Sequence, residues 1–298
     1  MCNVAQVGFK CYNEVMEMEY KIKDDLDFIK NETKMSNAQL AEAIGVSLRT
    51  IINMGQGKIA PTYNSLDRLY SYIYDKHYRI NHVKEEIIQE EAKNKVLFHG
   101  SKFGLKEITP KGSREDCDFG SGFYLGESYS QAASFVYETN ASSVYVFEGD
   151  FAGLEKMEFG CEEDWMLAVC YYRGMLDLYK ESEIIKNIMA KVESADIIVA
   201  PIADNKMYYV MRKFGDGEIT TMEAKHALSE SSLGQQYILR SQKAIDRLKF
   251  KSRMFLSTSE RKQFDTIMDE RGKEIDTKLK LSQRLYRGKG KYVEEIFV

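Results

Sequence analysis

No stretch of this chain is apolar for long enough to cross a bilayer, and its first residues, MCNVAQVGFKCYNEV, show no charged region followed by a long apolar run. The expectation is therefore a cytoplasmic protein with no membrane partner. The five cysteines (Cys2, Cys11, Cys117, Cys161, Cys170) are odd in number and include no CxxC pair, so neither a disulfide framework nor a zinc site is indicated, and no metal is expected. Cys117 adjoins a glycine-rich segment but has no histidine near it in sequence, which favours a small loop side chain over a nucleophile. There is no internal repeat and no low-complexity tract. What is present is 44% hydrophobic and 30% charged residues over 298 positions, the balance of a globular protein with room for one large domain or two ordinary ones.

The formal net charge of −4 conceals an asymmetry. From Arg240 onward 16 Lys and Arg stand against 9 Asp and Glu, which leaves 26 against 37 in the residues before it. A basic, helix-patterned tail suits nucleic acid or an acidic partner, and it equally suits a helix packed on the acidic body of its own chain. The interspersed Asp265, Asp269, Glu270, Glu274 and Asp276 favour the last of these.

Residues 1–33 alternate charge with Val15, Met18, Ile22, Leu26 and Phe28, a pattern for one or two amphipathic helices. The pattern sharpens from Met35. Ser36 is placed to cap a helix with Leu40, Ala41 and Ile44 on its apolar face, Gly45 can take the left-handed turn that ends it, and Ser47 caps a second helix with Ile51 and Ile52. Two short helices about a glycine turn describe a helix-turn-helix. The run LAEAIGVSLRTI, followed by a glycine, a proline and a helix-like segment from Leu66 to Tyr74, resembles the Cro-type repressors. That resemblance implies a second helix that presents Ser47, Leu48, Arg49, Thr50 and Asn53 to DNA or RNA, with Lys58 among the contacts. Between Lys34 and His82, 6 Lys and Arg meet 3 acids, so phosphate neutralisation predicts weak binding unless the protein dimerises, and a protein partner is the alternative. Residues 83–94, VKEEIIQEEAKN, lack Gly and Pro and predict a helical connector.

The stretch around which the chain is organised is 95–136. Val96, Leu97 and Phe98 suit a short buried strand that delivers His99-Gly100-Ser101 to an edge. In the run from Asp118 to Tyr124, DFGSGFY, two glycines let the backbone turn and approach a ligand closely, and an aromatic ring follows. Residues 128–137 read as a helix capped by Ser128, with Ala132, Ala133, Phe135 and Val136 at helical spacing.

In this order and spacing the three segments resemble the catalytic core of the ADP-ribosyltransferases, in the branch shared by poly-ADP-ribose polymerases and diphtheria toxin. The resemblance covers about half the chain, from Lys95 to roughly Phe250. It implies a split β-sheet core with flanking helices, and NAD as substrate. His99 would hydrogen-bond the adenine-side ribose, the Gly100 backbone would hold the nicotinamide amide, and Tyr124 and Phe135 would sandwich the nicotinamide ring. Ser101, Gly120 and Gly122 belong to the same NAD-binding set. Arg114 and Lys111, in the loop before the glycines, are candidates for the pyrophosphate because guanidinium forks suit phosphate oxygens, with a solvated loop as the plain alternative. His77, His82 and His226 have no such company and read as structural.

Downstream, residues 144–147 predict a strand leading to Gly149, and 164–179, with the one tryptophan, an apolar helix interrupted near Gly174. Residues 181–194 and 220–229 predict two further helices, and 195–203 a buried strand. Asp204 and Asn205 follow that strand, where an acid and an amide suit a ribose or acceptor contact as well as they suit a plain turn. Residues 234–239 read as a strand, and Ser241 as the cap of a closing helix containing Ile245 and Leu248. Here the sequence departs from the family pattern, whose third motif places a glutamate before a tyrosine: this chain has Gln236 before Tyr237.

Breaking the bond between nicotinamide and ribose builds positive charge on the sugar, as in glycoside hydrolysis. Two rings and a backbone amide pair hold the leaving group by orientation. A carboxylate would best stabilise the cation, whereas neutral Gln236 accepts a hydrogen bond from the ribose 2′-hydroxyl and positions the sugar without supplying charge. The expectation is an α+β protein: a helical domain with the helix-turn-helix in 1–82, the connector in 83–94, a catalytic domain in 95–250 with His99, Tyr124 and Gln236 as its triad, and a basic, mostly helical tail in 251–298. Its expected activity is mono-ADP-ribosylation of a macromolecule (protein, DNA or RNA) with release of nicotinamide, as in a bacterial toxin or phage-defence effector that has an antitoxin partner. Chain elongation is not expected. Two alternatives stay open. One is a helix-turn-helix transcriptional regulator with a degenerate NAD-sensing pocket, which Gln236 favours; the other is an NAD glycohydrolase, in which water replaces the acceptor.

Overall fold

The structure, a computed structural model, describes residues 18–58, 60–203, 205–229 and 234–298. The part of the first expected helical stretch that precedes residue 18, and Asp204, lie outside the described residues. The described residues begin with five helices, α1 (Ile22–Thr33), α2 (Asn37–Ile44), α3 (Leu48–Gly55), α4 (Tyr63–Asp75) and α5 (Ile80–Glu91). Then come β1 (Lys95–Ser101), β2 (Phe123–Gly126), α6 (Tyr129–Ala133), β3 (Ser143–Gly149), β4 (Lys156–Glu158), α7 (Glu163–Tyr172), α8 (Glu183–Ser194) and β5 (Ile197–Pro201). The chain closes with α9 (Asn205–Gly215), α10 (Thr221–Ser229), β6 (Gln235–Leu239), α11 (Gln242–Ile245), β7 (Leu248–Phe255), α12 (Thr258–Tyr286) and α13 (Val293–Ile296). The fold is mixed α+β, with a seven-stranded mixed sheet and helices at the N-terminal end. No described helix is long and apolar enough to cross a membrane.

The chain divides into two compact units, one drawn from residues up to 107, 133–148 and 249–264, the other from 108–132, 149–248 and 265–298. In the first unit, local chemistry sets the helix boundaries. The Ser36 hydroxyl accepts the Gln39 N–H and the Gln39 carbonyl accepts the Ser36 N–H at 2.9 Å, a reciprocal capping box. Gly45 ends α2 at φ +67, and Arg68 of α4 donates to its carbonyl at 2.7 Å. Ser47 caps α3 by accepting the Thr50 N–H at 3.1 Å. Leu40, Ala41, Ile44, Ile51 and Met54 then bury their side chains with Leu26, Ile29, Leu66, Leu69 and Ile73 in one core. Asp25, only 3% exposed, is held by Lys84 of α5 at 2.8 Å and by the Tyr70 hydroxyl of α4. Burial and that carboxylate push the Tyr70 phenol far above its ordinary value, so it stays a donor.

Two corrections to the sequence expectations concern element ends. The helix begun at Ser128 stops at Ala133 instead of reaching Tyr137: the Ala133 carbonyl accepts both the Val136 and the Tyr137 N–H at 3.0 Å, and a three-residue bond follows from Thr139 to Val136 at 3.1 Å, so the regular four-residue ladder is not continued. The closing helix capped by Ser241 ends at Ile245 and leaves out Leu248, which opens β7, a strand running five residues into the stretch expected to be mostly helical tail. Ser252 and Met254 are buried there while Lys251 and Arg253 stay half-buried, a period of two that overrides the cap.

Glu148 at the end of β3 accepts the Lys93 and Asn94 N–H groups at 3.2 and 3.1 Å, the Asn94 side-chain amide at 3.1 Å, and the Lys251 ammonium at 2.9 Å. The Lys251 hydrogen bond leads in holding its carboxyl down at about 2. Its folded value lies below its unfolded one, so its stabilisation is present above about pH 4.5 and is lost as the pH falls toward 2. Glu148→Gln is therefore expected to flatten the acid limb of the stability curve in that window, read from urea midpoints between pH 2 and 7.

In the second unit the strands run β4-β5-β6-β2, with β4 parallel to β5 and the β5–β6 and β6–β2 pairs antiparallel. α7 is buried on all sides from Trp165 to Cys170, which accounts for its unbroken apolar run, and it ends before Gly174, whose φ is +71. Its side chains share one core with α8, α9, α10 and the inner residues of β5 and β6.

Candidate functional site

The second unit brings two of the sequence-picked residues onto one face of the sheet. β2 and β6 pair so that Tyr124 lies opposite Ile238 and Gly126 opposite Gln236. Directly opposed residues share a face, and so do residues two apart on a strand, so Tyr124 and Gln236 are diagonal neighbours although more than a hundred positions separate them. β5 extends the same face with Ile198 and Ala200.

That face packs on the core of the unit, with Ile198, Ala200 and Ile238 fully buried and Tyr124 against them, and a buried polar network around Gln236 lies on it. Gln236, 6% exposed, donates from its amide nitrogen to Asp118 Oδ2 at 2.9 Å and to the Pro201 carbonyl at 3.0 Å. Asp118, 5% exposed, also accepts the Ala203 N–H at 3.3 Å and takes two bonds from Arg173, at 2.7 Å to Nη2 and 3.2 Å to Nε. Burial works against the Arg173 charge, but the neighbouring carboxylate outweighs it and leaves the guanidinium pKa raised. This charge-assisted cluster anchors the loop before β2 to the end of α7, the end of β5 and the start of β6.

The same loop is closed on itself through Tyr124. The phenol donates to the Gly120 carbonyl at 2.8 Å and accepts the Phe119 N–H at 3.1 Å. Burial drives its pKa well above the ordinary value, more than the Phe119 bond lowers it, so the hydroxyl stays protonated. Arg240 donates to the Phe119 carbonyl at 2.7 Å, and the Ser113 hydroxyl accepts the Gly122 N–H at 3.0 Å. The two glycines answer to the protein's own side chains. Gly120 sits at φ +68, and a Cβ there would come within 2.7 Å of the Tyr172 ring; one on Gly122 would reach 2.3 Å from Ile238. The bare backbone at these positions is thus filled from within the unit.

The other sequence-picked residues are placed as follows. His99, Gly100 and Ser101 end β1, partly buried, and Phe135, 50% exposed, follows α6 in the same compact unit as β1. Arg114 lies in an exposed loop of the second unit and pairs with Asp116 at 3.4 Å, while Lys111 is exposed nearby. Asn205 opens α9. Among the helix-turn-helix residues, Ser47 and Thr50 spend their hydroxyls on each other at 2.8 Å, Leu48, Arg49 and Lys58 are exposed, and Asn53 is half-buried. Asp118, Arg173, Arg240 and Ser113 were given no role by the sequence reading. A signal did exist: Arg173 is a single cation at the end of a run that is apolar enough to be buried, and such a charge calls for a carboxylate partner.

The class these features define is an α+β protein whose mixed sheet carries a tyrosine and a glutamine on one face, backed by a buried Asp–Arg pair. The chain belongs to the family described as Protein of unknown function (DUF3990), whose model matches residues 95–250. No curated protein and no solved structure matches the chain.

Proposed function

We propose that the protein is an NAD-dependent mono-ADP-ribosyltransferase that transfers ADP-ribose to a macromolecule and releases nicotinamide. The observation that carries this reading is the shared face of Tyr124 and Gln236 on paired strands, since the chemistry needs a ring for the leaving nicotinamide beside a hydrogen-bonding group for the ribose. On this reading the core is a split-sheet ADP-ribosyltransferase fold, with the roles the resemblance implies: the adenine-side ribose for His99, the nicotinamide amide for Gly100, and the nicotinamide ring for Tyr124 and Phe135. Gln236 orients the sugar through its carbonyl oxygen and adds no charge, which suits a single transfer rather than chain elongation. The helix-turn-helix would bring the enzyme to a target or to its own operator, with the capped α2–α3 geometry as support. Incubating the purified chain with labelled NAD and a cell lysate tests this: released nicotinamide and label on a protease- or nuclease-sensitive product are the expected result. Free ADP-ribose alone would point to a glycohydrolase, and the absence of both NAD binding and turnover would rule out the enzyme.

A second reading, a regulator that senses NAD, is favoured by the neutral side chain at 236. Operator binding that changes with NAD while the NAD stays intact would select it.

A further inference from the structure

The network around Asp118 bears on why residue 236 is a glutamine. Both groups that face its amide nitrogen, the Asp118 carboxylate at 2.9 Å and the Pro201 carbonyl at 3.0 Å, can only accept hydrogen bonds. The orientation of the amide follows from that chemistry: the nitrogen must face the two acceptors, and the carbonyl oxygen is left as the side chain's remaining hydrogen-bonding atom. An ionised glutamate at this position would set a second carboxylate against Asp118 and a bare lone pair against Pro201. We propose that Asp118, itself held by Arg173, is a positioning residue that dictates an amide at 236 and fixes which way its carbonyl points.

The inference deepens the NAD reading and rests on it for the role of that carbonyl, which would accept from the ribose 2′-hydroxyl. The coupling between 118 and 236 is open to a separate measurement. In Gln236→Glu the introduced carboxyl meets Asp118 from the loop before β2, with Arg173 from α7 already committed to Asp118. Among the described residues, Asp116 and Cys117 from the same loop, the Tyr124 phenol from β2, Arg240 beyond β6, the Tyr172 phenol beside Arg240 and the Tyr208 phenol beside Arg173 are further titratable or charged groups of this surrounding. Arg173 already serves Asp118 and Asp116 is paired with Arg114, so the introduced carboxyl, set directly against Asp118, keeps its proton above the ordinary glutamate value. Protonated, it copies the glutamine by donating to Asp118; ionised, it repels it. A raised folded value makes stability greatest at low pH and lost as the pH rises through that value.

The experiment compares wild type, Gln236→Glu, Asp118→Asn and the double variant by thermal melting and by nicotinamide release from NAD between pH 5 and 8. Gln236→Glu is expected to melt near wild type at pH 5 and to fall at least about 6 °C below it at pH 8. Its nicotinamide release should drop about tenfold relative to wild type over the same range, because the ionised carboxylate, repelled by Asp118, leaves the position from which it would face the ribose. The double variant, with an amide donor now on residue 118, should recover most of the pH 8 loss. A Gln236→Glu melting curve that parallels wild type from pH 5 to 8, a double variant that recovers nothing, or failure to fold even at pH 5 would overturn the proposal. A wild-type protein that releases no nicotinamide while the melting pattern holds would uphold the coupling and remove the NAD reading alone.

Discussion

Tyr124→Ala is expected to lower nicotinamide release from NAD by about a hundredfold, a rise of about 2.7 kcal/mol in the barrier, whereas Tyr124→Phe should keep most of the turnover. The two substitutions separate the two jobs of this residue. Its ring lies on the face shared with Gln236, where the proposed reaction needs a flat partner for the nicotinamide. Its hydroxyl is spent inside the loop, bridging the Gly120 carbonyl and the Phe119 N–H. Phenylalanine keeps the ring and strands that buried N–H and carbonyl, so its effect should fall on stability, by about 1–3 kcal/mol. Steady-state kcat/KM and urea unfolding of both variants, with His99→Ala as the companion loss of the proposed ribose contact, check this. Equal losses of turnover in the two variants would show that the loop closure matters and the ring does not.

Asp118→Ala should lower the stability of the chain by about 3 kcal/mol, the low end of what breaking one side of a buried ion pair costs. The low end applies because the Arg173 side chain is 24% exposed and can regain some water. Against that, the substitution leaves the Ala203 N–H and one Gln236 amide hydrogen, both on buried residues, without their acceptor. The expected signature is a lower urea midpoint with an unchanged slope. A loss under about 1 kcal/mol would mean the pair behaves like a surface salt bridge and the network does not anchor the loop.

How much of this was legible beforehand followed the range of the forces involved. The ends of α2 and α3 could be read because Ser36, Gly45 and Ser47 act on backbone groups within four residues, and the structure places each in the expected capping role. The interruption of the apolar helix near Gly174 was legible for the same reason. β7 was not, since Ser241 is a true local cap and the alternation that follows it has charged residues at every second place. The special status of Gly120 and Gly122 could be read as well, but its physical cause could not. Tyr172 and Ile238, which fill the space a side chain would need, come from α7 and β6, distant in the chain.

From the sequence alone came the order of the segments, the local caps and turns, and the short list of rings, imidazole and amide that NAD chemistry would need. Tertiary structure alone decided that Asp118 meets Gln236 and that Gln236 shares a face with Tyr124. The reason is strand register: a slip of one residue in β6 would turn the amide to the opposite face and away from Asp118, and register is set by the packing of the whole sheet rather than by any nearby residue.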